Sequence, residues 1–219
     1  MLNSTTESGV SSRYIRPVRL RGYFSKGTIE AGCDEAGRGS LAGPVVAAAV
    51  ILPSGFRHKW LNDSKLLTAH QREEVRIHIE AGALAFAVGQ ASHEEVDQLN
   101  ILRASFTAMH RALDKLLTTP EQILVDGNRF PPFNDIPFQC IVDGDARYKS
   151  IAAASILAKT YRDEIMEHLG SQFPEYHWSD NKGYPTERHR EALERFGPSP
   201  YHRLTFQLLA VKQGVLFDQ

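Results

Sequence analysis

Four carboxylates stand where apolar segments of this 219-residue chain end. Asp34 and Glu35 close one such segment, Asp126 closes a second, and Asp145 follows shortly after a third. A charged carboxylate is costly to hold in a hydrophobic segment unless it is paired or bound to a metal ion. Mg²⁺ prefers hard oxygen ligands and keeps several of its waters, which suits phosphate chemistry. The four acids are therefore candidate ligands of divalent metal ions.

Each acidic position also has a simpler explanation. Asp126 and Asp143 are each followed by glycine, which is an ordinary turn sequence. Taken alone, Asp34 and Glu35 could equally be an exposed pair in a loop. The residue types therefore leave turns and metal ligands open as alternatives.

The adjacency of Asp34 and Glu35 raises a geometric question. Successive side chains of a regular strand point to opposite faces, so these two carboxylates cannot converge on one. Gly37 and Gly39 follow directly and allow a sharp bend, which could turn Glu35 back toward the side of Asp34. We expect such a bend.

Two further features could contact a ligand. Gly37 and Gly39 flank Arg38, and residues without side chains let main-chain atoms approach a ligand closely. The alternative is a tight turn between strands with Arg38 in solvent. Tyr184 lies between glycine and proline, where an exposed ring can stack on a sugar or a base. The alternative there is packing over the start of the next helix.

The elements that must position these residues follow from periodicity and turn residues. Five strand-like segments are predicted at residues 28–34, 44–52, 83–91, 123–125 and 138–142. Capping boxes begin a helix over 68–81 and a long amphipathic helix over 92–116. Further helices are predicted at 151–169, 186–196 and 204–211. We expect an α/β or α+β layered domain with a helical C-terminal part, in which the first three strands form a meander.

The helix over 151–169 is rich in alanine, and we interpret it as core rather than as part of a site. The segment over 182–212 carries six lysine or arginine residues against three glutamates, so one face of it could follow a phosphate backbone. Interspersed charges on a helix are more often simply solvated. His177, His189 and His202 lack a compact metal-binding spacing and receive no role.

Composition places the chain among ordinary globular proteins. Its formal net charge is −1, so any nucleic-acid binding must come from local basic clusters. Cys33 and Cys140 both lie in apolar runs and are expected to be buried free thiols, as in a reducing cytosol. The longest apolar stretch, residues 41–52, is too short to cross a bilayer. We expect no membrane span and a cytoplasmic location.

Residues 1–27 contain several arginines and one glutamate without a sustained apolar period. A transit peptide has a similar composition, but a solvated extension is the simpler interpretation. We therefore predict a flexible basic N-terminal tail over 1–27 and one domain over 28–219, with its helical part beginning at about residue 170.

The run GCDEAGRGSLAGP over residues 32–44 resembles the characteristic motif of ribonuclease HII. Further matches follow in the order that this family shows, and the resemblance covers about residues 28–205. They are Asn62-Asp63-Ser64-Lys65, Asp126-Gly127-Asn128, Gly144-Asp145, residues 151–159 and residues 182–186.

The resemblance implies a ribonuclease H-like fold, a five-stranded mixed sheet flanked by helices. It implies an endonuclease that hydrolyses the RNA strand of RNA/DNA hybrids and cuts at ribonucleotides embedded in duplex DNA, leaving 5′-phosphate and 3′-hydroxyl ends. Two metal ions, Mg²⁺ or Mn²⁺, would be held by Asp34, Glu35, Asp126 and Asp145. In this family a lysine often stands where Asp143 precedes Gly144; between Asp143 and Asp145, the spacing to the helix that begins at Ile151 favours Asp145 as the residue that faces the metals.

The resemblance also implies substrate contacts. Main-chain atoms of Gly37, Arg38 and Gly39 would read the ribose 2′-hydroxyl. Tyr184 would recognise the step from ribonucleotide to deoxyribonucleotide, and Lys65 would contact a phosphate. Expected partners are the hybrid and the ribonucleotide-containing duplex, and we expect a monomer. The alternatives are a ribonuclease HIII-like nuclease, against which Arg38 argues, and a non-catalytic hybrid-binding protein, which would lack a carboxylate.

Overall fold

The structure is a computed structural model that describes residues 20–61 and 67–209. Most of the predicted tail and Lys65 lie outside these ranges. The part of that tail that is described packs on the domain: Leu20 is buried, and the main-chain N–H groups of Phe24 and Ser25 donate to the Glu30 carboxylate. The described end of the predicted tail, from residue 20 on, therefore packs against the domain. For residues 1–19, which the structure does not describe, the flexible tail stays a prediction.

The centre of the molecule is a five-stranded sheet, as predicted. Its strands are β1 (Glu30–Ala36), β2 (Val45–Ile51), β3 (Ala85–Ala91), β4 (Gln122–Asp126) and β5 (Phe138–Ile141). The spatial order is β3-β2-β1-β4-β5. The first three strands pair antiparallel and form the predicted meander, whereas β4 and β5 run parallel to β1. The sheet is therefore mixed.

Helices cover both faces of this sheet, which explains why every residue of β2 is buried. They are α1 (Ala69–Gly82), α2 (His93–Leu99), α3 (Ile101–Asp114), α4 (Lys149–Gln172), α5 (Trp178–Asn181) and α6 (Glu187–Phe196). Ala47 and Ala49 pack in the cluster that contains α3, whereas Ala48 and Val50 pack in the cluster that contains α4. Helix α4 approaches β1 closely because Gly32 has no side chain: a Cβ there would lie 2.2 Å from the Ser150 carbonyl carbon.

The predicted helix over 92–116 is wrong in one respect, because it is two helices. Asn100 separates α2 from α3 with a φ of 67°, and its side-chain oxygen accepts the N–H groups of Leu102 and Arg103. Asparagine tolerates the left-handed region and caps helices well, so the chain turns there. The apolar spacing continues across Asn100, and periodicity therefore does not reveal the break.

The predicted helix over 204–211 is also wrong as far as residue 209, beyond which the chain is not described. Residues 204–209 form turns and extended chain. The Asp97 carboxylate accepts the N–H groups of Leu204 and Thr205, and Arg190 donates to the Leu208 carbonyl. Contacts with α2 and α6 thus hold this segment against the domain in a path that is not helical.

Both cysteines are free thiols, as predicted; Cys33 is buried, whereas Cys140, which was predicted to be buried too, is only half-buried. Among the helices of the described ranges, none combines the length and the apolar character that crossing a membrane requires.

Candidate active site

Two parallel strands bring acidic side chains together at the end of the sheet where both strands finish. Asp34 lies on β1, and Asp126 ends the neighbouring strand β4, one residue past the paired Cys33 and Val125. A cavity of about 370 Å³ opens there. Its lining residues are Asp34, Glu35, Ala36, Gly37, Arg38, Gly39, Asp126, Ser155, Lys159 and Tyr184. The sheet therefore brings three of the four predicted carboxylates together, and we call this space the acidic cavity.

Asp34 is buried at the base of the acidic cavity. Its carboxylate accepts the main-chain N–H of Glu35 at 2.7 Å and the hydroxyl of Ser155. Burial raises the pKa of Asp34 well above its usual range, and the neighbouring carboxylates of Glu35 and Asp126 raise it further. Bringing like charges this close costs free energy that a cation would offset.

Glu35 lines the same cavity, but the predicted bend after Asp34 is wrong: both residues lie in β1, which stays paired with β2 as far as Ala36. One carboxylate oxygen pairs with Arg38 at 3.2 Å, and the other, Oε2, is buried without a hydrogen-bond partner in the described ranges. Burial raises the pKa of Glu35; the Arg38 guanidinium opposes this rise, and the Asp126 carboxylate adds to it. A buried acceptor that lacks a donor suits a bound cation.

Asp145 does not line the acidic cavity; it follows Gly144, which contacts Asp126. It is buried in a short 3₁₀ helix over residues 144–146, and the N–H of Gly144 donates to Asp126 at 2.7 Å. Asp143, by contrast, is exposed and takes a φ of 53°. Of these two aspartates, Asp145 is therefore the one enclosed by the domain next to Asp126.

These oxygen donors fit a hard divalent cation in type, because all are carboxylates and one oxygen of Glu35 has no other partner. Over residues 20–61 and 67–209, however, no three or more histidine, cysteine or acidic side chains are grouped closely enough to hold a metal ion by themselves. Mg²⁺ keeps several waters when it binds, so such an ion needs few direct protein ligands.

The glycine loop, residues 37–44, forms one wall of the acidic cavity together with Tyr184. Gly37 has a φ of 96°, a conformation that side chains disfavour. A Cβ at Gly39 would lie 4.0 Å from the Tyr184 ring, and the N–H of Leu41 donates to the Gly183 carbonyl at 2.8 Å. Tyr184 and the glycine loop are thus placed side by side, although they are 145 positions apart in the chain (184 − 39).

Two cavity residues were missed in the sequence, because the segment that carries them was interpreted as core. Ser155 and Lys159 lie on α4, and most of the helix between Ser150 and Ala158 is indeed buried. Both point into the acidic cavity, and Lys159 donates to Asp163 at 2.6 and 2.7 Å. Their spacing of four puts them on one helix face, which is the signal that could have separated them from the core.

Where the chain is described, the predicted basic face over 182–212 is only partly exposed: Arg188 and Arg195 are on the surface, whereas three other cations are held by internal groups. Lys182 pairs with Glu167, Arg190 donates to main-chain carbonyls, and Arg203 is fully buried. Internal groups therefore hold these cations.

Two histidines that had no role form a buried pair next to Tyr184. The N–H of Ser199 donates to Nδ1 of His202, so His202 carries its proton on Nε2 and donates to Nε2 of His189 at 3.0 Å. His189 then carries its proton on Nδ1 and donates to the Tyr184 carbonyl at 2.9 Å. Both rings are neutral in this arrangement, and together they fix the main chain at Tyr184.

Comparison with known sequences agrees with this geometry. The ribonuclease HII family matches residues 31–209. A ribonuclease HII from Parabacteroides distasonis is 60% identical over 187 residues, which is 85% of this chain and 94% of that protein. A ribonuclease HII from Bacteroides fragilis is 56% identical over 197 residues, with 90% and 98% covered.

Solved structures share the fold. Ribonuclease H2 from Pyrococcus horikoshii superposes with a TM-score of 0.69 at 27% identity, covering 82% of this chain and 94% of that one. A ribonuclease HII from Archaeoglobus fulgidus, solved in complex with PCNA, gives 0.68 at 25% identity, covering 86% and 98%. Bst-RNase HIII in complex with Mn²⁺ gives 0.66 at 18% identity, covering 83% and 68%, and shows the fold alone. The chain belongs to the ribonuclease HII family and is an endoribonuclease that acts on RNA/DNA hybrids.

Proposed function

We propose that this chain cuts the RNA strand of hybrids, and ribonucleotides embedded in duplex DNA, with two divalent metal ions held by Asp34, Glu35, Asp126 and Asp145. The observation that carries the proposal is the acidic cavity, in which three of these carboxylates meet beside a loop of glycines. Mg²⁺ or Mn²⁺ would serve, because the donors are all carboxylate oxygens.

When bound, such a pair of ions supplies a water of lowered pKa for attack on phosphorus and stabilises charge on the departing 3′ oxygen. The chain's own residues prepare this site. β1 and β4 hold Asp34 and Asp126 at the same end of the sheet, and Ser155 orients the Asp34 carboxylate. The expected products carry 5′-phosphate and 3′-hydroxyl ends.

Recognition of the ribonucleotide would fall to the glycine loop and Tyr184. Gly37, Arg38 and Gly39 line the acidic cavity, where their main-chain atoms would contact the 2′-hydroxyl of a bound ribonucleotide. The Tyr184 ring on the same wall would stack on the next sugar or base, at the step to deoxyribonucleotide. Lys65, outside the described residues, remains a proposed phosphate contact.

The two alternatives are less well supported. A ribonuclease HIII-like nuclease is disfavoured by Arg38 and by the family match. A non-catalytic hybrid-binding protein is disfavoured because Asp34, Glu35, Asp126 and Asp145 are all present. We further propose that the chain works as a monomer in the cytoplasm, in line with its composition.

The test is a cleavage assay on a DNA duplex that contains one ribonucleotide, with Mg²⁺, with Mn²⁺ and with EDTA. We expect one cut on the 5′ side of the ribonucleotide with either metal and none with EDTA. An all-DNA duplex of the same sequence is the matched substrate control. Cleavage in EDTA would exclude the metal mechanism, and equal cleavage of the all-DNA duplex would exclude recognition of the 2′-hydroxyl.

A further inference from the structure

Two buried arginines lie behind the glycine loop. Arg162 on α4 is 1% exposed, and Arg203 after α6 is 0% exposed. Within the described ranges, no carboxylate oxygen lies within 4.0 Å of either guanidinium. The two positive charges are close to each other, since Arg162 contributes to lowering the pKa of Arg203 after the larger effect of burial. Buried cations of this kind require strong acceptors.

Main-chain carbonyls are the acceptors of Arg162. Its Nε donates to Pro44 at 3.0 Å, its Nη1 to Lys182 at 2.9 Å and its Nη2 to Ala42 at 3.2 Å. One guanidinium therefore ties the end of the glycine loop to the segment that precedes Tyr184. The planar fork of arginine makes such a multiple contact possible, which the single ammonium of lysine does not.

Arg203 holds the other part of the glycine loop. Its Nε and Nη2 donate to the Gly43 carbonyl at 3.0 and 2.9 Å, and its Nη1 donates to the Arg38 carbonyl at 3.2 Å. Its own N–H donates to the Leu41 carbonyl, and the Asp97 carboxylate fixes the residues that follow it. Hydrogen bonds thus hold the main chain at Arg203 and at the two residues after it, while the Arg203 side chain contacts the glycine loop.

The glycines make room for this arrangement. A Cβ at Gly37 would lie 2.0 Å from Nε of Arg162, and a Cβ at Gly43 would lie 2.3 Å from Sδ of Met166. Both glycines also have positive φ angles. The loop is therefore shaped around the buried side chains behind it, and the arginines are part of what determines its conformation.

The bond from Arg203 to the Arg38 carbonyl fixes the direction of one peptide. The C=O and the following N–H of a trans peptide point in opposite directions, and the described chain contains no cis peptide. The N–H of Gly39 is therefore directed away from Arg203. Gly39 lines the acidic cavity, and its N–H has no partner within the described part of the chain. It is a donor available to a substrate oxygen.

We propose that Arg203 is a positioning residue for ribose recognition: by holding the Arg38 carbonyl, it presents the N–H of Gly39 to the 2′-hydroxyl oxygen of the ribonucleotide. This inference rests on the proposed function, in which the glycine loop reads that hydroxyl. It extends the set of residues that determine specificity to a side chain that does not touch the substrate.

The test compares binding of two duplexes that differ by one hydroxyl. One contains a single ribonucleotide in DNA, the other is all DNA, and the protein carries Asp126→Asn so that neither is cleaved. The ratio of the two Kd values measures discrimination. Arg203→Lys is expected to lower this ratio about tenfold or more, because lysine cannot hold both carbonyls. Affinity for the all-DNA duplex should change much less.

Tyr176→Phe is the matched control for loss of stability. Tyr176 packs in the same C-terminal cluster and donates to the Gly197 carbonyl, away from the glycine loop. It should lower Tm and leave the ratio intact. Asp97→Ala is the second variant, for the case that Arg203→Lys does not fold. This change removes the carboxylate that accepts the N–H groups of Leu204 and Thr205, so the chain next to Arg203 is held less firmly. It should lower the ratio of the two Kd values about two- to fivefold.

The outcomes separate the inference from the function on which it rests. If the parent protein binds both duplexes equally, the loop does not read the hydroxyl and the proposed function fails in that respect. If the parent discriminates and Arg203→Lys discriminates equally well, the inference alone is overturned. Equal weakening of both duplexes in the Arg203 variant overturns it too, because that result indicates a general structural role. If Arg203→Lys does not fold, an unchanged ratio in Asp97→Ala has the same consequence.

Discussion

The acidic cavity and the region behind the glycine loop concentrate charges of opposite sign, and these charges have different kinds of partner. The acidic cavity holds Asp34, Glu35 and Asp126 facing open space, and the pKa values of Asp34 and Glu35 are raised. Behind the glycine loop, Arg162 and Arg203 are buried among main-chain carbonyls that accept hydrogen bonds from their guanidinium groups. The acidic cavity would be completed by the proposed cations, whereas the buried arginines find their acceptors within the fold.

This difference separates function from stability. A carboxylate in the acidic cavity repels its neighbours in the folded protein, so its removal relieves an unfavourable interaction while it removes a proposed metal ligand. A guanidinium behind the loop is part of the packing, so its removal leaves buried carbonyls without donors. Substitutions in the two regions should therefore change activity and stability in different proportions.

The largest effect should come from Asp126→Asn. We expect cleavage of an RNA/DNA hybrid to fall by at least about a thousandfold, because the change removes a charged ligand of the proposed metal ions. The Tm should stay the same or rise, since one of the repelling charges is gone. Initial rates and thermal unfolding measure the two quantities. Asp114→Asn, at the exposed end of α3, is the matched control and should change neither. Near-normal cleavage by Asp126→Asn would contradict the assignment.

The second region can be tested through Gly37→Ala. The new Cβ would meet Arg162, and the φ of 96° is unfavourable for alanine. We expect the free energy of unfolding to fall by about 2–4 kcal/mol. Gly27→Ala is the matched control, because Gly27 has a φ of 86° but no atom within 4 Å of the added Cβ, so that only the backbone strain of about 1 kcal/mol remains. Equal losses in the two variants, measured by urea unfolding, would show that the contact with Arg162 is unimportant.

The two regions also differ in how far the sequence predicts them. Asp34, Glu35 and Asp126 lie at or near the ends of apolar strands, a pattern that short-range reasoning detects, although β1 continues to Ala36 without the predicted bend. Arg162 lies in a helix interpreted as core and Arg203 in a segment whose charges are typical of solvated surface, and their carbonyl partners at residues 38–44 are more than 100 positions away. Only the packed fold shows that they are buried. Asn100 was missed for a related reason, because one residue's φ breaks a helix that the apolar pattern continues.

The smallest of the expected effects concerns the neutral histidine pair, which connects the second region to Tyr184. Burial lowers the pKa of His189, and burial together with the neighbouring His189 lowers the pKa of His202 to about 4. Protonation of either ring would place a positive charge beside Trp178 and the other ring, with Arg190, His177 and His93 as the further basic groups nearby.

The sign of the resulting pH dependence follows from these pKa values. Between about pH 6.5 and about pH 4, His202 is protonated in the unfolded chain and neutral in the folded one. The unfolded state therefore binds more protons, and stability is lost as the pH falls through this window. His202 alone should lower the free energy of unfolding by roughly 2 kcal/mol between pH 7 and pH 5.

Urea unfolding at pH 7 and at pH 5, for the parent and for His202→Gln, measures the contribution of His202 to this loss of stability. The glutamine variant should start lower at pH 7 and lose less on acidification, whereas His168→Gln, an exposed position on α4, should lose as much as the parent. If His202→Gln loses stability with pH as steeply as the parent, His202 is not the group that titrates in this range.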